Sequence, residues 1–173
     1  YQLFEYNKKL KMTKQEIKDE MKDTEGRPEV KRKIREKQRE MASMRMLEAI
    51  ADADVIITNP EHFAIALAYD PTGDMPPQVV AKGADLIAQN IKQRAKEEGV
   101  PLFESPILAR ALYFTTDLHG YIPEALYEAV AQVIAFIFNI NSFNRDNFRP
   151  QKPNPKVPQH MIFDEQGNRS VVE

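Results

Sequence analysis

The chain has 173 residues, 42% of them hydrophobic and 29% charged, with a formal net charge of -2. That is enough apolar content for one globular core with appendages, and too much charge for the whole chain to be buried. The lack of cysteine removes disulfides, thiolate catalysis and cysteine-held zinc, and no apolar run approaches the ~20 residues that span a bilayer.

These features predict a soluble chain from a reducing, cytoplasmic compartment, and an opening at Tyr1 rather than methionine points to a fragment. Basic residues outnumber acidic ones over the first fifty positions, and the reverse holds afterwards.

Thr13-Lys-Gln-Glu16 has the form of a capping box and predicts a helix start. Gly26 and Pro28 interrupt it, and Pro28 suits the first position of a second helix reaching about Ala49. That helix carries Lys31, Arg32, Lys33, Arg35, Lys37 and Arg39, with little to bury until Met41, Met44, Met46 and Leu47. The globular core is expected to begin near Asp54, where Val55-Ile56-Ile57 reads as a buried strand and Asn59-Pro60 as a turn.

Phe63, Ile65, Leu67 and Tyr69 alternate with smaller residues, predicting a second strand with its bulk on one face. A loop rich in proline and glycine follows, then a third strand at Val79-Val80 and a helix containing Leu86, Ile87 and Ile91 that Gly99 can close. Val100 to Glu104 suits a fourth strand, and Ser105-Pro106 opens a helix over Ile107–Thr116. From Pro123 to Ile140 the apolar positions Leu126, Val130, Val133, Ile134 and Ile137 recur at helical spacing. Beyond Asn141 come Pro150, Pro153, Pro155 and Pro158 among polar residues, a composition expected to leave a mobile tail.

The predicted fold class is therefore α/β: a small four-stranded sheet flanked by helices, preceded by a long helical linker and followed by a disordered tail. The expected boundaries are a linker over 1–51, a globular domain over 52–140 and a Pro-rich flexible tail over 141–173. No internal repeat is visible.

The stretch Asp54-Val-Ile-Ile-Thr-Asn-Pro-Glu-His62-Phe-Ala-Ile-Ala-Leu67 resembles the FlhB/YscU/SpaS family of type III secretion export-switch proteins. The hallmark of that family is an Asn-Pro-Thr-His tetrapeptide in this strand context, and Glu61 stands here in place of the threonine. The similarity continues through Val79–Asp85, Gly99–Glu104, Pro106–Tyr113 and Ile122–Ala131, and upstream through Lys11–Glu20 and Glu25–Pro28. Met12-Thr-Lys-Gln-Glu16 looks like the flagellar branch.

The residues themselves supply a chemistry. The side-chain amide nitrogen of Asn59 can attack its own backbone carbonyl carbon, closing a succinimide and expelling the nitrogen of Pro60. A tight turn is needed to hold the two groups in a near-attack arrangement. His62 is the nearby group suited to proton transfer at neutral pH, and has a modest, rate-tuning role. Glu61 can disfavour the negative charge developing on the attacked oxygen, or can hold His62 protonated and change its role. His119 and His160 read as loop and tail residues.

The resemblance further implies a shallow patch that receives early export substrates, at Pro76, Pro77, Ala131 and Ile134. It implies a membrane-anchored parent protein at the base of the flagellum, an FlhA-type export gate, rod and hook proteins as substrates, and a hook-length ruler protein as trigger. Self-cleavage would then accompany a switch from rod-hook to filament-type substrates, in a single turnover, so the chain is not expected to be an enzyme. Two other readings stand beside it: an uncleaved, constitutive docking module, and an injectisome paralogue. No phosphate-cradling glycine spacing and no metal-ligand spacing is present, so no cofactor is expected. Glu29, Glu36 and Glu40 break up the basic helix, which argues against nucleic acid and for a solvated linker beside anionic headgroups.

Overall fold

Pro28 has no amide to leave unpaired, and it opens the first long helix, α1 (Pro28–Glu48). The computed structural model describes residues 3–5, 16, 28–142 and 151–169. The helix expected from Thr13 lies outside them except for Glu16. Two units can be distinguished, Tyr1–Met44 and Arg45–Glu173. In the first, α1 buries no residue, as its charge density requires, and Lys37 pairs with Glu40 at 2.6 Å. Among the described residues, no helix is long and apolar enough to cross a membrane.

The second unit begins ahead of the expected boundary at residue 52. A 3-10 turn (Ala49–Asp52) follows α1, and its Ile50 is fully buried, with Met46 and Leu47 packed around the same cluster. Four strands follow: β1 (Val55–Thr58), β2 (Phe63–Ala68), β3 (Gln78–Ala84) and β4 (Leu102–Glu104). They lie in the order β3-β2-β1-β4, with β1 antiparallel to β2 and parallel to β4. The helices are α2 (Asp85–Glu98), α3 (Pro106–Thr115) and α4 (Tyr127–Ser142), the last preceded by a 3-10 turn at Glu124–Leu126.

β2 is buried on both faces, beyond the single bulky face its alternation predicted. Phe63, Ile65 and Leu67 join the larger core with Leu108, Leu112, Val130 and Val133 of α3 and α4. Ala64 and Ala66 face the other way, into a thinner cluster with Ala88, Ile91 and Ala95 of α2. Alanines on both elements let the helix sit close to the sheet. Gly83 extends that fit, since a Cβ there would lie 2.3 Å from Ile87 Cγ2. Gly99 closes α2 in the left-handed conformation, with φ 72°, as expected.

The described part of the tail, 151–169, is irregular apart from a 3-10 turn at Gln159–Met161 and an isolated bridge between Phe163 and Arg169. It is nevertheless packed where its composition predicted a free chain. Phe163 is 8% exposed, its ring 5.5 Å from that of Phe114, and Val157 and Met161 lie against the main core. Prolines reduce the freedom that an unfolded chain loses on ordering, so a few apolar anchors suffice to hold it.

Candidate active site and apolar patch

Asn59, Pro60, Glu61 and His62 are the whole connection between β1 and β2. The Asn59 amide donates to the Phe63 carbonyl at 2.9 Å, which closes the turn over the antiparallel ladder. On the side toward β4, the Ser105 amide donates to the Thr58 carbonyl at 3.0 Å. Lys92 of α2 donates from Nζ to the Pro60 carbonyl at 2.7 Å. The turn is thus held at three successive residues by bonds from three different segments.

Within it, Asn59 is 7% exposed, and its Nδ2 is buried without a hydrogen-bond partner among the described residues. Such an orphaned donor costs about 1–3 kcal/mol, and orphans of this kind are rare in native interiors. With no hydrogen bond tying its nitrogen elsewhere, the carboxamide is free to turn toward its own backbone carbonyl carbon. Pro60 and Glu61, by contrast, are exposed.

His62 is ringed by carboxylates from three segments. Its Nδ1 lies 3.1 Å from Oδ1 of Asp85 at the start of α2, and its Nε2 lies 3.8 Å from Glu61 and 3.7 Å from Glu165 of the tail. The hydrogen bond to Asp85 raises the imidazole above its ordinary value; partial burial opposes it, and the charges of Glu165, Asp85 and Glu61 add smaller upward contributions. Asp85 is itself unusual: its φ of 47° is left-handed, a conformation costing an L-residue about 1–2 kcal/mol that Asp tolerates better than most. Its amide donates to the His62 carbonyl at 2.8 Å, so backbone and side chain both bind His62. Strain at a residue that grips the motif from two directions fits a site built to hold one geometry.

The sequence placed Asn59, Pro60, Glu61 and His62 together, and they are together. It missed Asp85, Lys92 and Glu165. Asp85 was legible only as an acidic residue in a first helical turn, while Lys92 and Glu165 have no local signal and reach the motif through the tertiary fold. The second predicted group also converges. Pro76, Pro77, Ala131 and Ile134 all line one cavity of about 550 Å³, a largely apolar wall to which Tyr69, Met75, Tyr127 and Ala135 also contribute, with Gly73 and Asp74 as its remaining lining residues. Among the described residues, no cluster of histidines and carboxylates is placed to hold a metal ion.

The family model described as the FlhB HrpN YscU SpaS Family matches residues 1–137. A flagellar biosynthetic protein FlhB from Yersinia enterocolitica is 45% identical over 165 residues, covering 94% of this chain and 43% of that protein. The chain therefore spans less than half the length of this relative. The crystal structure of the cytoplasmic domain of FlhB from Shewanella putrefaciens superposes with a TM-score of 0.66 at 36% identity, covering 73% of this chain and 98% of that one. The C-terminal domain of EscU, carrying an asparagine-to-aspartate substitution, gives a TM-score of 0.51 at 34% identity over 53% of this chain and 98% of that one. In another EscU structure the substituted residue is the proline that follows that asparagine. Matched by the family model over most of its length and by relatives and solved domains alike, this chain belongs to the FlhB, HrpN, YscU and SpaS family.

Proposed function

We propose that the chain is the export-switch part of a flagellar type III protein export apparatus, and that it cuts its own backbone between Asn59 and Pro60. The observation that carries the cut is the buried, unpartnered Nδ2 of Asn59 in a turn held at each neighbouring residue. Nδ2 forms a bond to the Asn59 carbonyl carbon and loses a proton. The bond from that carbon to the Pro60 nitrogen breaks, and the departing nitrogen gains a proton as a secondary amine. A cyclic imide remains on Asn59, open to later hydrolysis by water. The reaction consumes its own nucleophile, so it happens once per chain and the protein is not a turnover protease.

The fixed turn supplies proximity, the effect by which intramolecular reactions gain most. His62, whose imidazole is raised above its ordinary value chiefly by the hydrogen bond to Asp85, is suited to giving a proton to the departing Pro60 nitrogen. Export substrates of the rod and hook class dock at the patch formed by Pro76, Pro77, Ala131 and Ile134, and the switch to filament-type substrates follows the cut. An FlhA-type gate and a hook-length ruler protein are its partners, and its place is the cytoplasmic face of the inner membrane. The family membership and the flagellar relatives support this setting.

A second reading is a docking module that never cuts, and the 550 Å³ patch favours it, because binding there needs no scission. Intact mass of the denatured protein separates the two. Two fragments summing to the chain plus at most one water, absent in Asn59→Ala, are expected. A single full-length mass after long incubation removes the cut and leaves the docking module.

A further inference from the structure

The tail approaches the motif with a built surface. Phe163 packs on Phe114, which itself lies 5.5 Å from Phe63, the first residue after the motif, and 5.1 Å from Tyr113. Gly167 completes the fit: its φ of 84° is left-handed, and a Cβ there would stand 2.7 Å from Phe114 Cε1. Asp164 ties the intervening turn together, accepting from the amides of Gln166 and Asn168 and from the Asn168 side chain. This turn carries Glu165 to 3.7 Å from His62. Further back, Lys152 lies over the Phe103 ring at 5.1 Å and Pro155 is buried.

We propose that residues 151–169 form an intramolecular clasp, seated through Phe163 on the Phe63, Tyr113 and Phe114 cluster, that brings Glu165 against His62 and so regulates the Asn59–Pro60 cleavage site. The consequence for cleavage rests on the reading of that bond as the site of self-cutting; the clasp itself does not. The charged groups facing His62 are Glu61 of the connection, Asp85 of α2 and Glu165 of the tail, while Lys92 of α2 is bonded to the Pro60 carbonyl. Of the three carboxylates, only Glu165 lies on a segment that can leave without unravelling the sheet.

Binding of a proton by His62 and docking of the clasp are therefore linked, each strengthening the other. His62 is raised in the docked state, so its contribution to docking is complete below the ordinary imidazole range. It is lost as pH rises through the raised value. The clasp holds most firmly above the carboxylate range and below the raised imidazole value, where Glu165 is ionised and His62 protonated, and it loosens as the solution becomes alkaline.

The test uses the full chain with Asn59→Ala, which cannot cut, and follows the ring resonances of His62 by NMR against pH. Glu165→Gln keeps the packing and removes the charge, whereas Phe163→Ala removes the anchor. In both variants the His62 midpoint is expected to move to lower pH. A His62 midpoint unmoved by Glu165→Gln overturns the clasp, whatever becomes of the Asn59–Pro60 bond. The regulatory consequence is read separately, in chains that retain Asn59, as a displacement of the pH profile of scission by Glu165→Gln. If those chains show no scission at all, it is the self-cutting reading that fails, and the His62 shift still stands.

Discussion

At the scale of single residues, the glutamate expected to replace a threonine at position 61 has a definite geometry. Its side chain is 85% exposed and its carboxylate lies 3.8 Å from His62 Nε2, so it sits in water beside the reacting turn. Screening weakens its influence, yet any negative charge there opposes the one that builds on the attacked carbonyl oxygen. Glu61→Thr is therefore expected to quicken scission by about three- to tenfold, an effect of under ~1.4 kcal/mol on the barrier. The check is a time course of fragment appearance on denaturing gels at fixed pH and salt. Equal rates would show that the carboxylate has no bearing on the transition state. Lys92 adds a positive charge beside the turn, since its ammonium is bonded to the Pro60 carbonyl.

Elements, rather than residues, account for the closeness of α2 to the sheet. The small side chains of Ala64, Ala66, Ala81, Ala88 and Ala95 form the thinner core layer, and Gly83 is pressed against Ile87. Gly83→Ala has to displace both the Ile87 side chain and backbone, whose carbonyl carbon is 3.1 Å from the added methyl. It is expected to destabilise the domain by about 1–3 kcal/mol, read as a lower midpoint in urea unfolding. An unchanged midpoint would mean that α2 shifts freely. Alternation and β-branched runs revealed β1 and β2 in the sequence because those signals are local. The parallel pairing of β1 with β4 and the second buried face of β2 are tertiary choices that no local period encodes. The motif was legible as four consecutive residues, whereas its grip by Asp85 and Lys92 depended on α2 folding back over the turn. The tail misled for another reason: its prolines signalled irregular backbone correctly, and its few anchors, Phe163 and Met161 among them, are too sparse to show as a pattern.

For the domain as a whole, a cut at Asn59-Pro60 divides the sheet between two polypeptides without emptying it. The upstream piece retains Ile50, Val55, Ile56 and Ile57, all 1% exposed or less, in the shared cores. At about 1.5–3 kcal/mol for each buried side chain, these contacts hold the pieces together. The cut protein is expected to elute as one species in native gel filtration and to separate only in denaturant; separation in buffer alone would contradict the burial. The patch proposed to receive substrates shares no lining residue with the motif, so Pro77→Asp is expected to lower substrate binding by at least about tenfold, a penalty of ~1.4 kcal/mol for placing a carboxylate at a buried position of a largely apolar wall. Circular dichroism and scission rate serve as controls; binding unchanged by the variant would move the docking surface elsewhere.

β1 is four residues long, with a neighbouring strand bonded along each edge. Uncut, it passes any pull arriving through α1 along a continuous covalent chain into β2. Were the bond cut, the same pull would meet two short ladders loaded in shear, together with the buried contacts of Ile50, Val55, Ile56 and Ile57. A cut domain would thereby change from a tether into a mechanical fuse, carrying load up to a threshold and then releasing its first strand from the groove it had filled.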